Sequence, residues 1–281
     1  MVMKESFGIA GGHPGNQDPV RSFAIRQAQE ILKNADVIDP QPAIANPIEK
    51  QSLGTPETQV KIETPEDRLS ALRFKYDGAM NRPEFLTPKF QTEFWKDMFA
   101  DDKSIVVPQC DWDEEAIRRP MVDVKGEQVS SMLVYHPDKF TEHEGLIHLG
   151  GRYPSLGSYS VREGTTIRNN HETTGYVKVE AVLGAPNLNT KEGDLTKHLE
   201  GHSNYKGQRE STYILLGQAL FVLTGQYPDI QTISRLPGSS RDGRMIYAYR
   251  NSDGYLRVRW DLDPQDRYPS IGGSFEEVKK A

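Results

Sequence analysis

Between Phe23 and Phe74 the chain has no aromatic residue, and residues 37–64 carry Pro40, Pro42, Pro47 and Pro56. A stretch of that composition buries too little apolar surface to offset the entropy lost on ordering it. The core must therefore come from residues C-terminal to it. Three parts result: an N-terminal tail with one amphipathic helix (1–36), a Pro-rich flexible linker (37–64) and a folded domain (65–281). The helix spans 19–35, with Asp18 as N-cap, Pro19 in the first turn, and Val20, Phe23, Ala24, Ala28, Ile31 and Leu32 on one stripe. With no partner nearby in sequence, it either docks back, frays or serves as a protein-interaction element in another protein's groove.

Within 65–281, Thr64-Pro65 and Thr87-Pro88 are helix starts, a capping hydroxyl followed by a residue with no N–H to leave unsatisfied. The second helix carries Phe90, Phe94, Trp95, Met98 and Phe99 on one side, a core stripe. Short strands come next at 131–136, 157–162 and 175–183. In the last, Val177, Val179, Ala181 and Leu183 alternate against Tyr176, Lys178, Glu180 and Val182. Helices return at about 190–200 and 209–224, the latter ended by Gly225 and Pro228. Because helices and strands are grouped rather than alternating, the expected fold is α+β with a largely antiparallel sheet and several helices.

The first fifteen residues lack the apolar region of a secretory signal. The longest apolar run, 213–223, is interrupted by Gln218 and is about half of a bilayer span. No membrane association is expected. A single cysteine, Cys110, excludes an intrachain disulfide framework and any multi-cysteine metal site, and a cytoplasmic setting is expected. The net charge of -6 means that binding to a polyanion would need a local basic surface.

Several attractive sites fail on their spacing. Asp111, Asp113, Glu114 and Glu115 would disfavour a Cys110 thiolate. They read better as the acidic start of a short helix closed by Arg118 and Arg119, with Glu114–Arg118 and Glu115–Arg119 as i,i+4 pairs and Pro120 as the stop. No metal is expected there. Ser155 lacks the glycine two residues earlier that a nucleophile elbow requires. Residues 8–15 have glycines but neither the P-loop nor the dinucleotide pattern, so no cofactor is expected. Six of the seven histidines fall between 136 and 202. His143 and His148 are five apart and share no face; His198 and His202 are four apart but sit at a helix end. A site assembled from distant segments, such as His136, His143 and His171, defines the enzymatic alternative, a zinc-dependent hydrolase.

The lead candidate is the hairpin at 244–261. If the turn 251–254 pairs Arg250 with Tyr255, then Met245, Tyr247, Tyr249, Leu256, Val258 and Trp260 face the core. Arg244, Arg250, Arg257 and Arg259, beside Tyr255, then face out. Residues 235–260 hold six arginines, no lysine and two aspartates, a local +4 that leaves -10 for the rest. Arginine suits bidentate contact with phosphate or carboxylate, and tyrosine offers a stacking surface. The functional reading is an anion-binding face of Arg241, Arg244, Arg250, Tyr255, Arg257 and Arg259, contacting nucleic acid or an acidic protein. The ordinary reading is a solvated strand face whose arginines pair with the chain's own carboxylates, as Asp261 would with Arg244.

The segments SMLVYHPDK, SVREGTT, GYVKVEA, RESTYILLGQA and RLPGSSRDGR, spread over about the last 150 residues, resemble hypothetical proteins of uncultivated small-genome bacteria. The resemblance implies a bacterial cytoplasmic origin and assigns no activity. The sequence favours a non-enzymatic binding protein over the hydrolase.

Overall fold

The computed structural model describes residues 64–138, 167–250 and 256–279. The expectations for the N-terminal helix, the linker up to residue 63, the strand at 157–162, Ser155, His143, His148 and Tyr255 lie outside these residues.

Both Thr-Pro starts are used. In α1 (Pro65–Tyr76), Thr64 Oγ1 accepts from Asp67 N–H while the Asp67 carboxylate accepts from Thr64 N–H, a reciprocal capping box. In α2 (Pro88–Met98), Thr87 Oγ1 accepts from Phe90 N–H. Phe94, Trp95 and Met98 are fully buried, and the Trp95 indole donates to the Leu133 carbonyl at 3.0 Å, fixing α2 against the next long strand. The short α3 (Glu114–Arg118) is capped by Asp113 and carries the Glu114–Arg118 pair, as its charge order demands. Cys110 is buried just ahead of it, and desolvation pushes its thiol up to about 11, which disfavours the thiolate.

Eleven strands occur among the described residues, and they form three sheets. The smallest pairs β1 (Met121–Val122) with β2 (Gln128–Val129) around a turn in which Asp123 Oδ1 accepts from the N–H groups of Lys125 and Glu127. The second contains β3 (Ser131–His136), β5 (Gly175–Glu180), β6 (Tyr205–Gly207) and β11 (Phe275–Glu277) in the antiparallel order β3-β5-β11-β6. The third contains β7 (Ile233–Arg241), β8 (Arg244–Arg250), β9 (Leu256–Arg259) and β10 (Ile271–Gly273) in the order β10-β7-β8-β9, with β4 (Arg168–Asn169) also on β7. Its pairs are antiparallel except β10–β7, which is parallel. The fold is α+β with largely antiparallel sheets, as the grouping of elements implies.

Two helices complete it, α4 (Glu192–Gly201) and α5 (Glu210–Thr224), and α5 holds the centre. It is buried along nearly its whole length and packs against β3, β7 and α1, so it has no polar face to show. Gly225, left-handed at φ 77°, stops it. No described helix is long and apolar enough to cross a membrane.

One expectation fails in an informative way. Alternation along 175–183 predicts one dry face and one wet face, but Tyr176 through Ala181 are all buried, Lys178 and Glu180 included. A sheet covered on both sides hides its polar residues as well as its apolar ones, and those must then find partners inside.

Candidate functional site

The β8–β9 hairpin does not keep the expected register. Arg250 pairs with Leu256, Tyr249 with Arg257, Ala248 with Val258 and Tyr247 with Arg259. Five residues, 251–255, separate the paired ends, one more than the four-residue turn expected from the sequence. That single residue shifts the pairing by one place, so the two faces of β8 are exchanged relative to the expectation while Leu256 and Val258 of β9 still face the core. The four arginines are therefore split. Arg244 and Arg250 lie on the Ile246–Ala248 face, which packs on the core; Arg257 and Arg259 share the other face with Tyr247 and Tyr249.

Arg250 is consequently buried, at 2% exposure, and is removed from the anion-binding set. Its guanidinium lies 3.8 Å from the Tyr227 ring centroid, Tyr227 stacks on Phe221 at 4.3 Å, and Arg73 sits 5.1 Å from the Phe221 ring. Near it the buried Asp229 accepts from Tyr213 Oη at 2.8 Å and Thr232 Oγ1 at 2.5 Å. Arg235, counted in the local +4, is buried as well and donates to the carbonyls of Thr190, Asp263 and Asp266. Arg241 is half-buried, 3.6 Å from the Trp260 ring centroid; Arg244 is exposed at the start of β8. The expected Arg244–Asp261 pair does not form. Asp261 instead accepts from Tyr247 Oη at 2.6 Å.

The face that remains is smaller and different in character. Tyr247 and Tyr249 are half-buried and nearly parallel, with ring centroids 6.4 Å apart and planes 16° apart, and each has an arginine directly across the ladder. The Asp261 hydrogen bond holds the Tyr247 ring in place. Alternation from a four-residue turn assigns both tyrosines to the core, because it has the parity of the loop wrong.

Of the described histidines, His136 and His198 are buried and His171 and His202 are half-buried. His136, fully buried, hydrogen-bonds through Nε2 to Ser211 Oγ at 2.7 Å, and burial together with nearby Arg209 lowers its pKa well below the usual value, leaving it neutral. His171 bonds Gly207 O and Thr173 Oγ1; burial likewise lowers its pKa. The His198 and His202 rings lie 4.3 Å apart, tilted by 32°, with His202 Nδ1 donating to the His198 carbonyl at 2.9 Å. Among the described residues no group of three or more His, Cys, Asp or Glu side chains is placed to hold a metal ion.

No local pattern in the sequence signals the buried ionic seam along the second sheet. Arg209 and Glu276, both 0% exposed, form a two-point ion pair, Nη2–Oε2 2.9 Å and Nε–Oε1 3.2 Å. Glu277, also buried, accepts from Arg119 Nη2 at 2.6 Å, Lys178 Nζ at 3.2 Å and Asn204 Nδ2 at 2.9 Å. Glu115 loses its expected partner, since Arg119 turns to Glu277. Glu180 accepts from Asn187 Nδ2 and Phe275 N–H, but desolvation outweighs both and raises its carboxyl to about 8. A folded-state value above the usual 4.5 means that the folded form holds the proton more tightly. This contribution to stability is full below about pH 4.5 and is lost as pH rises towards about 8, with a slope of up to about 1.4 kcal/mol per pH unit. Glu180→Gln is expected to remove that slope from the urea midpoint measured between about pH 5 and pH 8; an unchanged slope would assign the pH dependence elsewhere.

Part of this seam opens to solvent. Between α3 and the β6–β11 edge lies a cleft of about 530 Å³, lined by apolar Trp112, Pro120, Val122 and Val278 and by polar Arg119, His202 and Glu277, among others. Arg119 is the most solvent-accessible member of the Glu277 cluster, with 60% of its side chain exposed. No family model, curated protein or solved structure matches this chain, so the functional reading rests on its own geometry.

Proposed function

We propose that this chain is a non-enzymatic binding protein and that the β8–β9 face carrying Tyr247, Tyr249, Arg257 and Arg259 holds single-stranded nucleic acid. The observation that supports it is the pairing of two near-parallel tyrosines with two cross-strand arginines on one partly open face. Aromatic rings beside guanidinium groups suit unpaired bases and their phosphates together, because every base has a π face and every linkage a charge. Exposed Arg244 of β8 and half-buried Arg241 of the neighbouring β7 lie on the opposite face of the sheet and contribute through long-range attraction rather than contact.

The test is fluorescence anisotropy of a labelled single-stranded oligonucleotide over a range of salt concentrations. Arg257→Ala and Arg259→Ala are each expected to reduce the slope of log K against log salt by about 0.7, the share of one phosphate contact. Tyr249→Leu, which keeps apolar bulk but lacks a π face, is expected to leave the slope unchanged and to weaken binding by about 1–3 kcal/mol. Salt-independent affinity, or affinity indifferent to all three changes, would remove this reading. Binding to polyglutamate in preference to the oligonucleotide would assign the face to an acidic protein instead.

A further inference from the structure

We propose that the cleft between α3 and the β6–β11 edge is a separate ligand site, for a small monocarboxylate with an apolar body. Its volume of about 530 Å³ is in the range of small-molecule sites. Its walls combine apolar surface from Trp112, Pro120, Val122 and Val278 with one preorganised cation.

That cation is Arg119. Glu277 alone faces two positive groups, Lys178 and Arg119, and the Asn204 amide as a third donor. Lys178 is 1% exposed and also donates to the Ala116 carbonyl, so it neutralises Glu277 from below and cannot reach an external molecule. Arg119 is the surplus charge. Among the described residues only its Nη2 is engaged, and the buried carboxylate that engages it fixes the guanidinium at the cleft wall. The other charges on the lining are already engaged: Asp113 caps α3 through the Ala116 N–H, and Lys279 pairs with Asp111 at 3.0 Å. A single guanidinium with Nε and Nη1 turned to no other described residue suits a monoanion better than a dianionic phosphate, and its planar fork matches the two oxygens of a carboxylate.

The energetics of the cluster point the same way. Burying Glu277 with Lys178 confers little stability over apolar packing, because desolvation cancels most of their attraction. Beside a cleft the buried carboxylate holds an arginine rigidly where a ligand can meet it. His202 adds direction: its Nδ1 is committed to the His198 carbonyl, which leaves Nε2 as the ring atom for a polar group of the ligand.

The test is an NMR titration of the full ¹⁵N-labelled chain with sodium benzoate, with benzyl alcohol as the uncharged analogue. Benzoate is expected to shift the amides of Arg119, Gln128 and Asn204 saturably. Benzyl alcohol is expected to bind at least roughly tenfold more weakly. Because Arg119 is largely exposed and Glu277 keeps Lys178 and Asn204, Arg119→Gln should fold normally and weaken benzoate to the level of the alcohol, with Arg119→Lys intermediate. The proposal is overturned if benzoate gives no saturable shift there, if the alcohol or Arg119→Gln binds equally well, or if equimolar inorganic phosphate displaces benzoate. The oligonucleotide titration of the β8–β9 face is read on different residues, so either proposal can fail without the other.

Discussion

Glu276→Ala is expected to lower the unfolding free energy by about 3–5 kcal/mol, a large fraction of what a domain of this kind possesses. Glu276 is fully buried and accepts three hydrogen bonds from one residue, from Arg209 N, Nε and Nη2. Removing the carboxylate leaves a guanidinium in a dry interior, where only its Nη1 bond to the Thr173 carbonyl persists. The loss should be read as a fall in urea midpoint at unchanged m-value. Arg209→Met is expected to be similarly harmful alone, since it strands the acid. The double change Arg209→Met with Glu276→Leu should recover most of the loss, because packed apolar groups need no partner. Singles that cost less than about 1 kcal/mol would mean that water reaches the pair and screens it.

Gly207→Ala and Gly238→Ala are each expected to cost roughly 3 kcal/mol or more, or to prevent folding. At this point the second and third sheets touch through bare backbone: a Cβ on Gly207 would overlap Pro237 and the Gly238 nitrogen, and a Cβ on Gly238 would overlap the Gly207 carbonyl. Neither contact offers a flexible side chain that could yield, and the Gly238 N–H is also committed to the Gln208 carbonyl at 3.0 Å. Gly193 is the control. It lies in the first turn of α4 with nothing near its missing Cβ, so Gly193→Ala should be neutral or stabilising by a few tenths of a kcal/mol up to about 1 kcal/mol. Thermal midpoints of the three variants check the set; equal values would mean that the two sheets can move apart at no cost.

The parts of the fold that local chemistry dictates were legible in the sequence. Thr64-Pro65, Thr87-Pro88 and Gly225 mark helix ends because capping and the left-handed turn are decided within a few residues. The acids and arginines of α3 showed in the same way. Register was not legible, because it depends on the parity of one loop, and a single residue between Arg250 and Leu256 exchanged the expected core and solvent faces of β8 while those of β9 stayed as expected. Nor were the buried ion pairs. Arg209 and Glu276 are 67 residues apart, and only the closing of both faces of the sheet turns what looks like a solvent position into an interior one. The hairpin thus keeps a basic, aromatic face, but one built from residues half of which the alternation pattern had assigned to the core. The cleft was invisible for the same reason, since its lining comes from α3, β6 and the segment around Glu277.

Residues 271–277 bind two architectures in one short stretch: β10 lies parallel along β7, and β11 slots between β5 and β6. Before that stretch has left the ribosome, β5 and β6 have no common neighbour and the Arg209 guanidinium has no carboxylate to meet. Until then one edge of β5 and the β6 strand have no partner and stay open to other nascent chains during synthesis. A transcript interrupted ahead of codon 271 would yield a product for proteases to clear rather than a smaller working protein.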